Sequence, residues 1–377
     1  ASVTINGGTI NGNVYGGGAA VGAANGTTTY SGGRSTVENV TVNITGGTIT
    51  GNVYAGGYVS GNNSESKITG TATVNLFGGT INGVIDGNKD IIAGFAKLNV
   101  SNYQDSVNTI KNFDEIELSD SDFTGNLLIS GSTVKTAGRV IMKGQLEVLS
   151  VSGQNKLLAQ GEKFSVIQNA YGSPAVYLQT GSGAEENNSL CFNSQTTEIS
   201  DKVEGYAAGI QVNSSSQVGG KSSNRMEFNG SAVKIDVNSA DSKATGLKIS
   251  HSDNGGTLNT DIVFNSAVTE IRAHGNVSNE YYDQVAGIWE GEGSFKGDIT
   301  TNVTFTGTAN IEVSSNITGA YGVYLKGNGG TSTVDFQGDT NIQARNGQVP
   351  GTAVYVDGEN RSVKLGSAGK TVSLFGD

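Results

Sequence analysis

The feature that most constrains this chain is that it repeats itself. Near its start runs Val3-Thr-Ile-Asn-Gly7-Gly8-Thr-Ile-Asn-Gly12-Asn-Val-Tyr15, which returns as Val42-Asn-Ile-Thr-Gly46-Gly47-Thr-Ile-Thr-Gly51-Asn-Val-Tyr54. A third copy, Val74-Asn-Leu-Phe-Gly78-Gly79-Thr-Ile-Asn-Gly83-Val-Ile85, follows, so the glycine pairs step by 39 and then 32 residues. A second family occupies the C-terminal half. Its first strand is marked by Phe228, Phe264, Phe305 and Phe336, which step by 36, 41 and 31 residues. Each phenylalanine is followed by Ile235, Ile271, Ile311 or Ile342, and then by a strand such as Gly246-Leu-Lys-Ile249 or Gly322-Val-Tyr-Leu325. Each copy thus holds three short alternating strands separated by glycine-rich breaks. A propeller blade needs four strands, and a leucine-rich repeat needs a strand plus a helix. Three strands without a helix describe one turn of an all-β parallel β-helix, a solenoid in which each strand pairs with its equivalent about 4.8 Å away in the next turn.

Composition agrees. Gly supplies 57 of the 377 residues, Pro only 2, and charged residues 15%. Disordered chains carry more charge and more proline, so glycine here marks turns. Low charge suits a stack in which like charges would face each other at rung spacing, whereas Asn, Thr and Ser ladders do not repel. The repeats divide the chain into N-terminal β-helix repeats over 1–87, irregular coils or a transition region over 88–205, and C-terminal repeats over 206–377. Ser182 to Ser189 is the best candidate for a loop or boundary. Gly209-Ile-Gln-Val212 reads as the tail of a worn copy.

With 23 basic and 34 acidic residues the net charge is −11, and no cluster of Lys and Arg stands out. A phosphate backbone is therefore not a natural partner. Cys191 is the single cysteine and is expected to act as a small buried apolar residue. No stretch approaches the roughly 18 apolar residues of a membrane helix. Ala1-Ser2-Val3-Thr4 already reads as a strand, and Leu374-Phe375-Gly376-Asp377 is equally abrupt, so the chain is expected to be part of a longer exported protein.

The Gly-Gly-Thr-Ile-Asn-Gly-Asn-Val-Tyr copies and Gly322-Val-Tyr-Leu-Lys-Gly-Asn-Gly-Gly330 resemble passenger domains of Gram-negative autotransporter adhesins. Asn108-Thr-Ile-Lys-Asn-Phe-Asp-Glu-Ile-Glu-Leu118 and Gly161-Glu-Lys-Phe-Ser-Val-Ile167 are similar to such passengers too. The resemblance implies a right-handed β-helix displayed on the bacterial cell surface by an outer-membrane β-barrel, which this sequence lacks. It implies no universal active site, because such passengers include adhesins, self-associating proteins and proteases.

The residues themselves argue against chemistry. The Gly-Asp-Ser-Gly motif of serine-protease passengers is absent, and the two histidines, His251 and His274, sit in contexts that read as solvated turns. Galacturonan hydrolases need Gly-His-Gly and Arg-x-Lys; Ala273-His274-Gly275 and Arg361-Ser-Val-Lys364 miss both. Carboxylate pairs such as Asp120/Asp122 and Glu290/Glu292 fit a glycan-cleaving enzyme only if neighbouring rungs place them suitably. Asp86-Gly-Asn88-Lys-Asp90 starts like a calcium loop, but Ile91 stands where glycine is required and Lys97 at the twelfth position. Gly366-Ser-Ala-Gly-Lys-Thr371 lacks the first glycine of a P-loop, whose place Lys364 takes. No cofactor, metal or catalytic residue is expected.

One constellation remains. In the third strand of the C-terminal copies the flanking residues are mostly apolar (Ile210/Val212, Leu247/Ile249, Val323/Leu325, Val354/Val356), so alternation sends them inward and the middle residue outward. The outward column reads Gln211, Lys248, Trp289, Tyr324, Tyr355. If rungs stack in register, Lys248, Trp289, Tyr324 and Tyr355 form a ligand-binding face on which pyranose rings can stack, with Asp335 and Gln337 contributing beside it. Cross-rung aromatic pairs also stabilise a sheet without any ligand. Three readings follow: an adhesin for glycans or proteins on host or bacterial cells, a self-associating passenger that promotes aggregation or biofilm, and a polysaccharide lyase or hydrolase.

Overall fold

The computed structural model describes residues 1–22, 32–61, 64–88, 94–150, 153–181, 185–216, 218–253, 255–276, 284–291, 297–317, 319–327, 329–347 and 349–377. Among them there is no helix. The chain is all-β, built from parallel strands stacked on one another, as in a β-solenoid. It divides into two compact units, Ala1–Met142 and Lys143–Asp377.

In the first unit the three N-terminal copies lie in register. Val3 pairs with Val42 and Val42 with Val74, while Ile5, Ile44 and Leu76 do the same. Ile10 pairs with Ile49 and Ile49 with Ile81, and Tyr15 pairs with Tyr54, their rings stacked 4.9 Å apart. The repeated Gly-Gly is explained by its second member: Gly8, Gly47 and Gly79 have φ of 81°, 95° and 98°, a left-handed turn that disfavours side chains. On the outer face, Asn75 Nδ2 donates to Asn43 Oδ1 and Asn99 Nδ2 to Asn75 Oδ1, both at 2.8 Å. Pairing then continues from Leu98 to Ile116 and from Ile110 to Leu127.

In the second unit each strand pairs in parallel with the strand three further along, producing three ladders. The first begins at Gly153–Ala159 and Glu185–Phe192 and ends at Arg361–Leu365; the second runs from Lys163–Gln168 to Val372–Gly376; the third runs from Leu146–Ser150 to Thr352–Asp357. The marker residues of the repeats are core columns. Phe192, Phe228, Phe264, Phe305 and Phe336 pair in sequence and stack with centroids 4.5–4.8 Å apart. Aromatic pairs of this kind contribute about 0.5–1.5 kcal/mol each beyond the area they bury. Ile199, Ile235, Ile271, Ile311 and Ile342 form the equivalent column of the second ladder, and all are buried.

Inside this core a polar seam follows the first ladder. Asn155, Asn188, Asn224, Thr260, Thr301 and Ser332 pair successively, and each is at most 2% exposed. Amides satisfy amides along it: Asn155 Nδ2 donates to Asn188 Oδ1, Asn188 Nδ2 to Asn224 Oδ1, and Asn224 Nδ2 to Ser214 Oγ, each at 2.8 Å. On the outer face of the second ladder, charges alternate in sign. Glu198, Lys234 and Glu270 form one column, and Asp236, Arg272 and Glu312 the next.

The stretch 88–205, expected as irregular coils or a transition region, is largely paired strand among its described residues; the division between units falls inside it at Met142/Lys143, and Leu146–Ser150 already pairs in parallel with the third strand after it. Its first coil escaped notice because Ala159 stands where the later ones have phenylalanine. Cys191 is not an inward apolar residue. It is half-buried at an outward position opposite Glu227, and its thiol donates to Asn193 Oδ1 at 3.2 Å, because alternation from buried Phe192 turns it out.

Candidate functional site

The expected outward column exists as a register. Tyr177, Gln211, Lys248, Trp289, Tyr324 and Tyr355 pair one after another along the third ladder. Their flanking residues point inward, and Ile210, Val212, Leu247, Ile249, Val323 and Leu325 are at most 1% exposed. Val356 departs from this, being 41% exposed; among the described residues no later strand of the third ladder pairs against it.

Trp289 and Tyr324 do not present open faces. Trp289 and Tyr324 stack with centroids 6.4 Å apart and planes 5° apart, and Tyr324 and Tyr355 with 4.9 Å and 8°. Tyr321 adds edge contacts to both Tyr324 and Tyr355. Tyr324 is consequently only 5% exposed, whereas Trp289, Tyr355 and Lys248 are half-buried. Parallel rungs repeat at about the thickness of a stacked aromatic pair, so in-register rings cover one another and turn their edges to solvent. A sugar cannot lie flat on Tyr324. Hydroxyls at the edge remain: Gln284 Nε2 donates to Tyr324 Oη at 3.4 Å, and Tyr355 Oη donates to Asp357 Oδ2 at 3.3 Å.

At the other end, Lys248 lies between two rings. Its Nζ is 5.4 Å from the Trp289 centroid and 4.9 Å from that of Tyr206, within cation–π range. Burial, and secondarily Lys243, lowers its affinity for a proton. Tyr206 Oη then donates to Gln211, Gln211 to Asn213, and Asn213 to Tyr177 Oη, at 3.1, 3.2 and 3.0 Å. The face thus changes from a hydrogen-bonded to an aromatic surface. Sequence reasoning missed Tyr177, Tyr206 and Tyr321. Tyr177 was detectable, since Val176-Tyr-Leu178 matches Val323-Tyr-Leu325. Asp335 is half-buried and Gln337 exposed; Gln337 Nε2 donates to Asp335 Oδ2 at 3.0 Å.

Behind Trp289 the flanking residue is Glu290, a carboxylate 2% exposed in a column otherwise made of Val212, Ile249, Leu325 and Val356. His251 is also a correction. It is 4% exposed within a strand rather than a solvated turn, with Nε2 2.8 Å from Thr301 Oγ1 and 3.7 Å from Glu290 Oε1. Ser332 Oγ donates to Glu290. Burial raises the carboxyl's affinity for a proton, against the hydrogen bond from Ser332 and the charge of Arg361. The sequence gives no warning, because these residues meet from different rungs. The group is closed to solvent, so substrate cannot reach it. His274 is exposed, its Nδ1 2.7 Å from Ser314 Oγ, and it too lies on a strand.

Asp120 accepts the backbone N–H of Arg139 at 3.1 Å. Among the described residues no three His, Cys, Asp or Glu side chains are grouped to hold a metal ion. Glu292, residues 89–91 of the calcium-like stretch and 182–184 of the candidate boundary lie outside the described residues. No family model, curated protein or solved structure matches this chain.

Proposed function

We propose that the chain is a non-catalytic binding solenoid: a right-handed parallel β-helix with three strands per turn whose outer face holds molecules of host or bacterial cell surfaces. The observation that carries this reading is the in-register outward column from Tyr177 to Tyr355. Its tryptophan and tyrosines are the residue types enriched at the centres of protein contacts. Pairing of each strand with the third one after it supports the three-strand coil, and the strong preference of parallel crossovers for the right hand supports the handedness. The autotransporter-like motifs support display on a bacterial surface by a β-barrel in a longer protein. The edge-on rings favour a protein ligand or the hydroxyl-rich rim of a glycan over a sugar stacked flat on this column. Labelled chain applied to arrayed glycans and extracellular proteins tests this, with binding expected to fall at least tenfold in Trp289→Ala. Failure to bind any element, or binding indifferent to the substitution, contradicts it.

Self-association is a second reading with its own observation. A column that alternates Glu198, Lys234, Glu270 is complementary to a copy of itself displaced by one rung. Concentration-dependent dimers in sedimentation velocity, weakened by salt, favour this reading.

A further inference from the structure

We infer that the corner beneath Tyr171 is a subsite for a neutral pyranose, separate from the aromatic ladder. Tyr171 is 78% exposed, yet the loop that bears it is pinned at both ends. At its start the buried Gln168 side chain accepts the backbone N–H groups of Asn169 and Ala170 at 2.9 and 3.1 Å. At its end Gln145 Nε2 donates to Pro174 O at 3.0 Å, and Ala175 N to Ala208 O at 2.9 Å. Between them Gly172, with φ of 72°, turns the chain.

The ring rests on a glycine of the next coil. A Cβ at Gly205 would lie 2.2 Å from Tyr171 Cε2 and 2.7 Å from Cδ2 and Cζ. Gly205 does not have the left-handed φ that requires glycine, so the space for the ring is what its missing side chain provides. An exposed aromatic held in this way loses little freedom on binding, which is what a recognition platform requires.

Around the ring lies a groove of about 510 Å³ lined by Asn169, Lys202, Glu204 and Asn238 together with Val203, within the size range of small-ligand sites. Here, unlike on the ladder, the exposed ring has no aromatic partner among the described residues. The C–H groups of a pyranose, polarised by their oxygens, fit the negative face of such a ring. Amides and charged groups beside it provide donors and acceptors for the hydroxyls. Lys202 is already paired with Asp236 at 3.0 Å, and Glu204 adds negative charge, so the groove disfavours acidic sugars.

Saturation-transfer NMR with methyl glucoside, galactoside, mannoside and N-acetylglucosaminide, and with a methyl glucuronide as the acidic arm, tests the assignment. At least one neutral pyranoside is expected to bind with a Kd on the order of 1 mM. Tyr171→Ala should weaken it at least tenfold without altering thermal unfolding. Gly205→Ala, which displaces the ring while keeping it, should weaken binding as well, and Trp289→Ala should leave it unchanged. Absence of transfer to every neutral pyranoside overturns the assignment. So does transfer to the glucuronide alone, binding that survives Tyr171→Ala, or binding lost in Trp289→Ala.

Discussion

Gly246 and Ile271 fit together so closely that a Cβ on the glycine would lie 2.3 Å from the isoleucine's Cγ2. The same relationship links Gly209 to Ile235, Gly287 to Ile311 and Gly322 to Ile342, at 2.5, 2.3 and 2.1 Å. The repeated spacing of glycine and isoleucine is thus a packing rule: a strand of the third ladder gives up its side chain so that the second ladder of the following coil can seat a branched one. None of these glycines has the left-handed φ that would require glycine, so close approach is the reason.

Gly246→Ala is therefore expected to destabilise the chain by about 1–3 kcal/mol through overpacking. Ile271→Leu moves the branch away from the glycine and should cost less than about 1.5 kcal/mol alone. Urea unfolding of the double variant should show less than the sum of the two. Strict additivity would mean the two side chains do not share that space.

The buried amide chain gives a second expectation. Asn188→Ala removes hydrogen bonds to Asn155 and Asn224 at once and leaves polar groups unpaired inside the core. A loss of about 2–3 kcal/mol is expected on that account. A loss below that of an exposed Asn→Ala control, such as Asn238, would show that water replaces the amide freely.

Asp201 carries a pH dependence. It is wholly buried in a column continued by Val237, Ala273 and Val313. Burial pushes its carboxyl up to about 7 from 3.8, against the hydrogen bond from Ala208 N–H. The folded state then holds a proton that the unfolded chain releases. Stability should fall as pH rises from about 4 to about 7 and level off above, with Glu290 acting in the same direction. Asp201→Asn keeps an acceptor for Ala208 and should flatten this slope, gaining stability at pH 8 and little at pH 4. Parallel profiles for the two proteins would show that Asp201 is ionised in the fold throughout.

On the outer face, Lys234 separates Glu198 from Glu270. Lys234→Glu places three acidic side chains in register and should cost roughly 1 kcal/mol. High salt should recover part of that in thermal unfolding, because exposed charges are screened. An effect insensitive to salt would point to packing instead.

The repeats made the stack and its register legible: the phenylalanine, isoleucine and outward columns all follow from one alternation carried across copies. Pairing made the rest invisible. That in-register rings cover each other is a consequence of rung spacing, so Tyr324 is buried although its strand position is outward. His251 and Glu290 are 39 residues apart in sequence and meet only because their rungs adjoin, which no local pattern announces. Tyr171 lies outside the alternation altogether, on a loop whose order comes from Gln168 and Gln145.

The central claim is that the ladder ending in Trp289, Tyr324 and Tyr355 holds cell-surface molecules rather than merely bracing the sheet. Its most direct test is flow cytometry of the labelled chain on epithelial and bacterial cells, comparing the wild type with the Trp289→Ala/Tyr355→Ala double variant at matched thermal stability. Saturable binding that drops at least tenfold in the variant is expected. Equal binding by a variant that remains folded would contradict the claim and leave the aromatic column a structural ladder alone.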